Sequence, residues 1–395
     1  MTFAPLEKRE RAAFREMLNP QGSQKTGAAV LMLLLSSLII PLCTNEILSM
    51  LYLGYAAVFY YSLTRSVPAV LLVALPGVPL FALSSYVPGL ATPFALPAVY
   101  AALVLGAVGG AFLIIHNRKP ARALSLLSLP AAAYAAAYLA TSSPYKALLV
   151  LLPAVLALVL ALCILNCCAH TPSVLLLACV AAAMAAIGFL LYLLVMGWPV
   201  ANPLSYLADS VRAGVVGFYR QMVALYAESG LELPFSEMDI KNMAALLGNV
   251  LPGVFGIACL LLAYVTWRVM LRLMIVWQTL PRVPLRLAAV TVSPMAAGVF
   301  TLAYVIAFFA NTGTATLLGT VCQNLYLLFL PALSLMGFSV IMKKRADRTR
   351  FSGFLLVALV ATLFISISTA LALASFIGAF HILAAYFTSH DKGGH

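Results

Sequence analysis

Apolar stretches of about twenty residues recur along the whole chain: Gly27–Cys43, Glu46–Leu63, Val67–Ser85, Phe94–Ile115, Pro120–Ala140, Tyr145–Leu165, Ser173–Trp198, Leu246–Leu280, Leu287–Phe309, Leu317–Met342 and Phe351–Phe387. A helix of that length rises about 30 Å, the thickness of a bilayer's hydrocarbon core. Lipid offers the backbone no hydrogen-bond partner, so only helices and closed barrels can cross it. A barrel would show short alternating segments instead of unbroken apolar runs. Charged residues make up 9% of the chain, against roughly a quarter in a soluble domain. The fold class expected is therefore all-α: a polytopic helical transmembrane bundle of about 11 membrane helices plus an external amphipathic helix.

Orientation follows from where the charges fall. If the N-terminus is cytoplasmic and the chain crosses at each run, 18 of the 23 Lys and Arg residues land on the cytoplasmic side. They include the tail residues Lys8 to Lys25, then Arg65, Arg118, Lys119, Arg268, Arg272, Arg282, Arg286 and the "KKRADRTR" cluster. Only Lys146, Arg212, Arg220, Lys241 and Lys392 fall outside, with seven of the eleven acids. Such asymmetry is the positive-inside pattern. A miscounted helix in the middle would invert every later loop and destroy it.

The expected organisation is a cytoplasmic basic tail (1–26), an N-terminal membrane bundle of about seven helices (27–198), an external amphipathic segment (199–245), a C-terminal bundle of about four helices (246–387) and a polar tail (388–395). The first run is read as an uncleaved membrane helix, because no small-residue cleavage site follows it. The preceding "LEKRERAAFREML" either lies on the anionic leaflet or is a solvated tail. The last run is long enough to cross once or, with a tight hairpin, twice. The expected location is the bacterial cytoplasmic membrane, with the lipid bilayer as the first partner.

One stretch is neither apolar run nor short loop. "DSVRAGVVGFYRQ" (Asp209–Gln221) lies within a segment where Leu207, Val211, Val215, Phe218 and Met222 recur at helical spacing, with Asp209, Arg212, Arg220 and Glu228 opposite. Asn202-Pro203 has the form of a helix start. Ser236 followed by Asp239 has the form of another. The helix is expected to lie on the outer surface, either as a structural connector or as a lid presenting Phe218 and Met222.

Residue types that carry chemistry are sparse. There is no P-loop, no H-E-x-x-H and no G-x-S-x-G. No catalytic residue and no cofactor is expected, and the chain is read as a non-enzyme. "NCCAHTP" groups Cys167, Cys168 and His170, but adjacent cysteines lack zinc-pair spacing and a fourth ligand is missing. No metal is expected. The seven cysteines all fall inside or at the ends of apolar runs, unlike a secreted disulfide framework. Asn249, Asn311, Gln323 and Asn324 either line a site for a neutral ligand or bond helix to helix. Small residues form four-residue stripes: Ala98, Ala102, Gly106 and Gly110 on one run, Ala370, Ala374 and Gly378 on the last. Such faces admit close backbone approach, within the chain or against a partner. Nothing in the sequence points to nucleic acid.

From Met238 onward the order of features resembles the YybS-like family of bacterial membrane proteins. The residues carrying it are "MDIKNMAALLGNVLPGVFGIACLLLAYVTWRVMLRL", "LPRVPLRL" and "LYLLFLPALSLMGFSVIMKKRADRTRFSGFLLVALVATLF". The family's N-terminal helices are similar to the substrate-capturing S subunits of energy-coupling-factor vitamin transporters. The resemblance implies a small-molecule capture or transport subunit working with separate ATPase and coupling subunits. The first run, "GAAVLMLLLSSLIIPLC", lacks the sustained small-xxx-small face by which such subunits meet the coupling protein. The alternative is a non-transporting scaffold or regulator that binds envelope proteins in a cell-envelope, division or sporulation assembly.

Overall fold

The computed structural model describes residues 13, 14, 16, 18, 23–43, 45–74, 76–84, 92–116, 144–195, 203–228, 236–310, 317–346 and 366–391. Among these, all regular structure is helical and no strand occurs. The run Pro120–Ala140, most of the basic tail, Asn311 and the second half of "KKRADRTR" lie outside the described residues. Seven helical stretches among those described are long and apolar enough to cross a membrane: Lys25–Leu42, Glu46–Thr64, Ala95–His116, His170–Val195, Leu247–Val276, Leu317–Met342 and Thr369–Thr388. Val150–Leu165 and Pro294–Ala310 are shorter apolar helices.

The chain divides into two compact units. The first comprises Phe3–Gly248 and Ala258–Ala288. Its helices are α1 (Ser23–Leu42), α2 (Glu46–Thr64), α3 (Val67–Ala74), α4 (Gly77–Ser84), α5 (Ala95–His116), α6 (Pro144–Leu165), α7 (His170–Val195), α8 (Pro203–Glu228), most of α9 (Glu237–Val276) and α10 (Leu285–Ala288). α1 and α2 form a tight hairpin. Asn45 caps α2 by accepting from the Leu48 amide at 3.1 Å, and the Ser36 and Tyr52 hydroxyls meet at 2.8 Å.

α5 is buried along nearly all its length because its small residues leave room for two neighbours. Gly106 faces Ser36 of α1 and Pro153 of α6; Gly109 faces Ala29 and Met32; Gly110 faces Ala157. The order of these pairs gives direction. Rising numbers in α5 meet falling numbers in α1, so those helices are antiparallel. Rising numbers in α5 meet rising numbers in α6, so those two are parallel. Phe14 and Leu18 of the N-terminal stretch are buried in the same core, while Ala13 and Glu16 are exposed.

The second unit is built from Asn249–Ile257 and Ala289–His395. It holds α11 (Pro294–Ala310), α12 (Leu317–Ala346) and α13 (Ile367–Asp391). Ala303 and Ala307 pack with Cys322, while Ala297 and Phe300 pack with Leu333, so α11 and α12 are antiparallel. α13 returns along α12 at very close range. Gly337 abuts the backbone of Ala374, and Gly378 abuts Leu333 and Gly337. The Ser334 and Ser375 hydroxyls meet at 3.0 Å across this contact.

Several boundaries differ from the expected ones. Val67–Ser85, a run interrupted in the sequence by Pro76 and Pro79, forms two helices of eight residues broken at Pro76 before Gly77, while Pro79 lies within the second, because proline removes a ladder donor and clashes with the preceding turn. Helix α11 begins at Pro294, seven residues after the expected Leu287. α9 shows no break between Ala245 and Leu246: its 40 residues start at the Ser236 capping box and rise about 60 Å. Hydropathy separates a polar start from an apolar continuation, but the backbone ladder does not.

Candidate functional site: an apolar pocket with a basic rim

In the first unit, α2, α3, α4 and α5 line a half-open pocket of about 460 Å³, within the roughly 300–1,000 Å³ range of small-molecule sites. Local breaks make the space. Arg65 caps α2 in the left-handed conformation (φ 52°) and donates its amide to the Tyr61 carbonyl at 2.7 Å, turning the chain into α3. The Pro76 break then bends α4 over the start of α5, where Phe81 meets Phe94 edge-to-face at 5.2 Å. The walls are Ala57 and Tyr60 of α2, Val73 of α3, Gly77 and Phe81 of α4, and Tyr100, Ala101 and Val104 of α5; Val269 of α9 closes one side.

One polar group stands out in this lining, and a cation lies beyond Val269 in the sequence. The Tyr100 hydroxyl is buried and has no hydrogen-bond partner among the described residues. Arg272 lies one turn beyond Val269 on α9 and donates Nε to the Leu63 carbonyl at 3.2 Å. Lys25 sits 6.0 Å from the ring centre of Trp277, and Trp277 meets Phe112 edge-to-face at 4.6 Å. The start of α1 and the ends of α2, α5 and α9 thus gather at one basic end of the unit.

The residues singled out in the sequence are placed elsewhere. Asn324 of α12 spends its amide on α9: Gly253 donates to its Oδ1 at 2.6 Å, and its Nδ2 donates to the Asn249 carbonyl at 2.9 Å. These are the two backbone groups that one helical turn would join to each other. The amide therefore splices into α9 beside Pro252 and does not line the pocket, nor does the half-buried Gln323. The side chain of Phe218 lies outside the described residues, and Met222 is half-buried. No residue of α8 lines the pocket. Ala98, Ala102, Gly106 and Gly110 face inward on α5, and Ala370, Ala374 and Gly378 are buried on α13.

At the "NCCAHTP" turn, His170 is buried against Tyr264 and Trp267, and neither ring nitrogen has a hydrogen-bond partner among the described residues. Burial pushes the Cys167 thiol up, with Arg286 opposing. No three His, Cys, Asp or Glu side chains among the described residues are arranged to hold a metal. Sequence reasoning missed Tyr60 and Tyr100 as pocket residues, because an aromatic inside an apolar run carries no signal that sets a wall residue apart.

α8 packs on the first turns of α9. Arg212 lies over Gly248, and Arg220 pairs with Glu237 at 3.5 Å. Lys241 bonds the same carboxylate and, with Arg220, holds Glu237 below the usual range; the Ser236 hydroxyl and amide do the same for Asp239. A carboxylate depressed in the folded state stabilises above its unfolded pKa, and the effect is lost as pH falls through the folded one. Amide exchange in α8 and at Glu237–Lys241 is expected to accelerate below about pH 4 while α5 stays protected. Unchanged protection at acid pH would show these ion pairs to be idle.

The capped, self-satisfied helices, the close glycine contacts and the seven long apolar helices mark the chain as a helical membrane protein. Comparison with known protein families, curated proteins and solved structures finds no match.

Proposed function

We propose that the chain is a bacterial plasma-membrane protein with eleven crossings and a cytoplasmic N-terminus, and that it captures a small, largely apolar molecule in the α2–α5 pocket. In this role it would resemble the S components of energy-coupling-factor transporters, as the YybS-like features imply, and would rely on separate ATPase and coupling subunits. The observation that carries the reading is the pocket: about 460 Å³ of space bounded by two broken short helices and two long ones.

Helix directions support the crossing number. α2 and α5 both run against α1, so α3 and α4 together return the chain between them. α5 and α6 run the same way, which accords with the crossing expected from the sequence of Pro120–Ala140. α12 runs against both α11 and α13, which favours a single crossing by the last run.

Thermal melting in zwitterionic nanodiscs, with and without a panel of fatty acids, isoprenoids, vitamins, nucleobases and amino acids, tests the reading. At least one apolar member should raise the melting temperature, and Ala101→Trp, which fills the pocket, should remove the shift. If no compound stabilises the protein and purification retains envelope proteins without ATPase subunits, the scaffold reading replaces capture.

A further inference from the structure

We infer that Cys163 and Cys168 are a redox-active pair, which closes a disulfide across the α6–α7 turn when a peroxide oxidises Cys168. Neither residue lines the pocket, and the inference does not rest on the capture reading.

The hydrogen bonds of the turn bring the two cysteines together. Cys167 takes the left-handed conformation (φ 47°) that glycine ordinarily supplies at a helix end. Its amide donates to the Ile164 carbonyl at 2.8 Å, and the Cys168 amide donates to the Cys163 carbonyl at 2.9 Å. These are the two bonds of a Schellman close, in which the residue past the turn folds its side chain back onto the last turn of the helix. An apolar contact is usual at that place. Here both side chains are cysteines, and their thiols lie within hydrogen-bonding reach of each other. A disulfide needs Cα atoms about 4.4–6.8 Å apart, a span that an amide-to-carbonyl bond between the same two residues supplies. Adjacent Cα atoms across a trans peptide stand about 3.8 Å apart, below that span, so Cys167 is no rival partner for Cys168.

Burial gives the two thiols different roles. Cys168 is half-buried, whereas Cys163 is 5% exposed and packed in the core. Peroxide therefore meets Cys168 first. The Cys168 thiolate attacks one peroxide oxygen, the O–O bond breaks, and a sulfenic acid and water form. Cys163 then attacks the sulfenic sulfur, its proton leaves with the displaced hydroxide as a second water, and the S–S bond closes. Two thiols and one hydrogen peroxide thus become one disulfide and two waters. On the proposed orientation the turn faces the cytoplasm, where standing disulfides are reduced. The pair then rests as a dithiol and oxidises only when peroxide rises.

Hydrogen peroxide applied to the reduced protein in nanodiscs, followed by maleimide and peptide mass spectrometry, tests the inference. The peptide holding this turn should lose two hydrogens and carry maleimide on Cys167 alone, and dithiothreitol should restore both thiols. Cys167→Ser should leave the Cys163–Cys168 link in place. Cys163→Ala should abolish it and let dimedone trap a sulfenic acid on Cys168. Survival of both thiols while free cysteine in the same buffer is consumed would overturn the inference and leave the contact as an apolar latch. A link between Cys167 and Cys168, or sulfinic acid on Cys168 beside an intact Cys163 thiol, would overturn it too. The wild-type product decides the matter even if Cys163→Ala does not fold.

Discussion

Gly337→Ala is expected to lower the melting temperature and yield of the protein sharply, although it adds a single methyl group. That methyl would have to occupy space already held by the backbone of Ala374. A flexible side chain can step aside, but a helix backbone moves only with its neighbours, so α12 and α13 would be driven apart. Overpacking costs typically about 1–3 kcal/mol, and backbone contact puts this site at or above the upper end. The Ser334–Ser375 contact at 3.0 Å would open with it. Gly298→Ala on α11 is the control, since a Cβ there meets nothing within 4 Å. Equal melting of the two variants in detergent would mean that α12 and α13 do not approach at Gly337.

The second large effect is expected at Asn324. Replacing it with leucine keeps the branched shape and the number of heavy atoms but removes both bonds to α9, the one accepted from Gly253 and the one donated to Asn249. Interhelical polar contacts in membranes average about 0.6 kcal/mol and reach about 1.7. A bidentate amide beside a proline belongs at the top of that range, because Pro252 already deprives this turn of a ladder donor. Gln323→Leu, one residue away and without such a bridge, should cost well under half as much. Matching losses in thermal melts would show that Asn324 does not hold α9 to α12.

Seven long helices were legible in the sequence because apolar length alone marks a helix that can cross a membrane. The Ser236–Asp239 start was legible as well, since a capping box is a local pattern, and the structure forms it with both reciprocal bonds. What could not be read depends on which residue meets which. Gly337 belongs to no four-residue stripe; its partner is the Ala374–Gly378 face of another helix. Asn324 reads equally well as ligand contact or helix bond until Gly253 is seen beneath it. The pocket is harder still: Ala57, Ala101 and Val104 lie inside apolar runs, where a wall residue and a lipid-facing residue have the same hydropathy. Only the break at Pro76 hinted that one run would fail to close against its neighbours.

The proposed orientation requires α8 outside, the loop after α9 in the cytoplasm and a membrane crossing at each expected run. Single cysteines at Gln221 on α8 and Arg282 after α9, both exposed, placed in a variant without the seven native cysteines, measure this directly. An impermeant maleimide applied to intact cells should label position 221 and leave position 282 unlabelled until the membrane is opened. Equal labelling of both positions in intact cells, or protection of 221 with labelling of 282, would contradict the orientation and the crossing number with it.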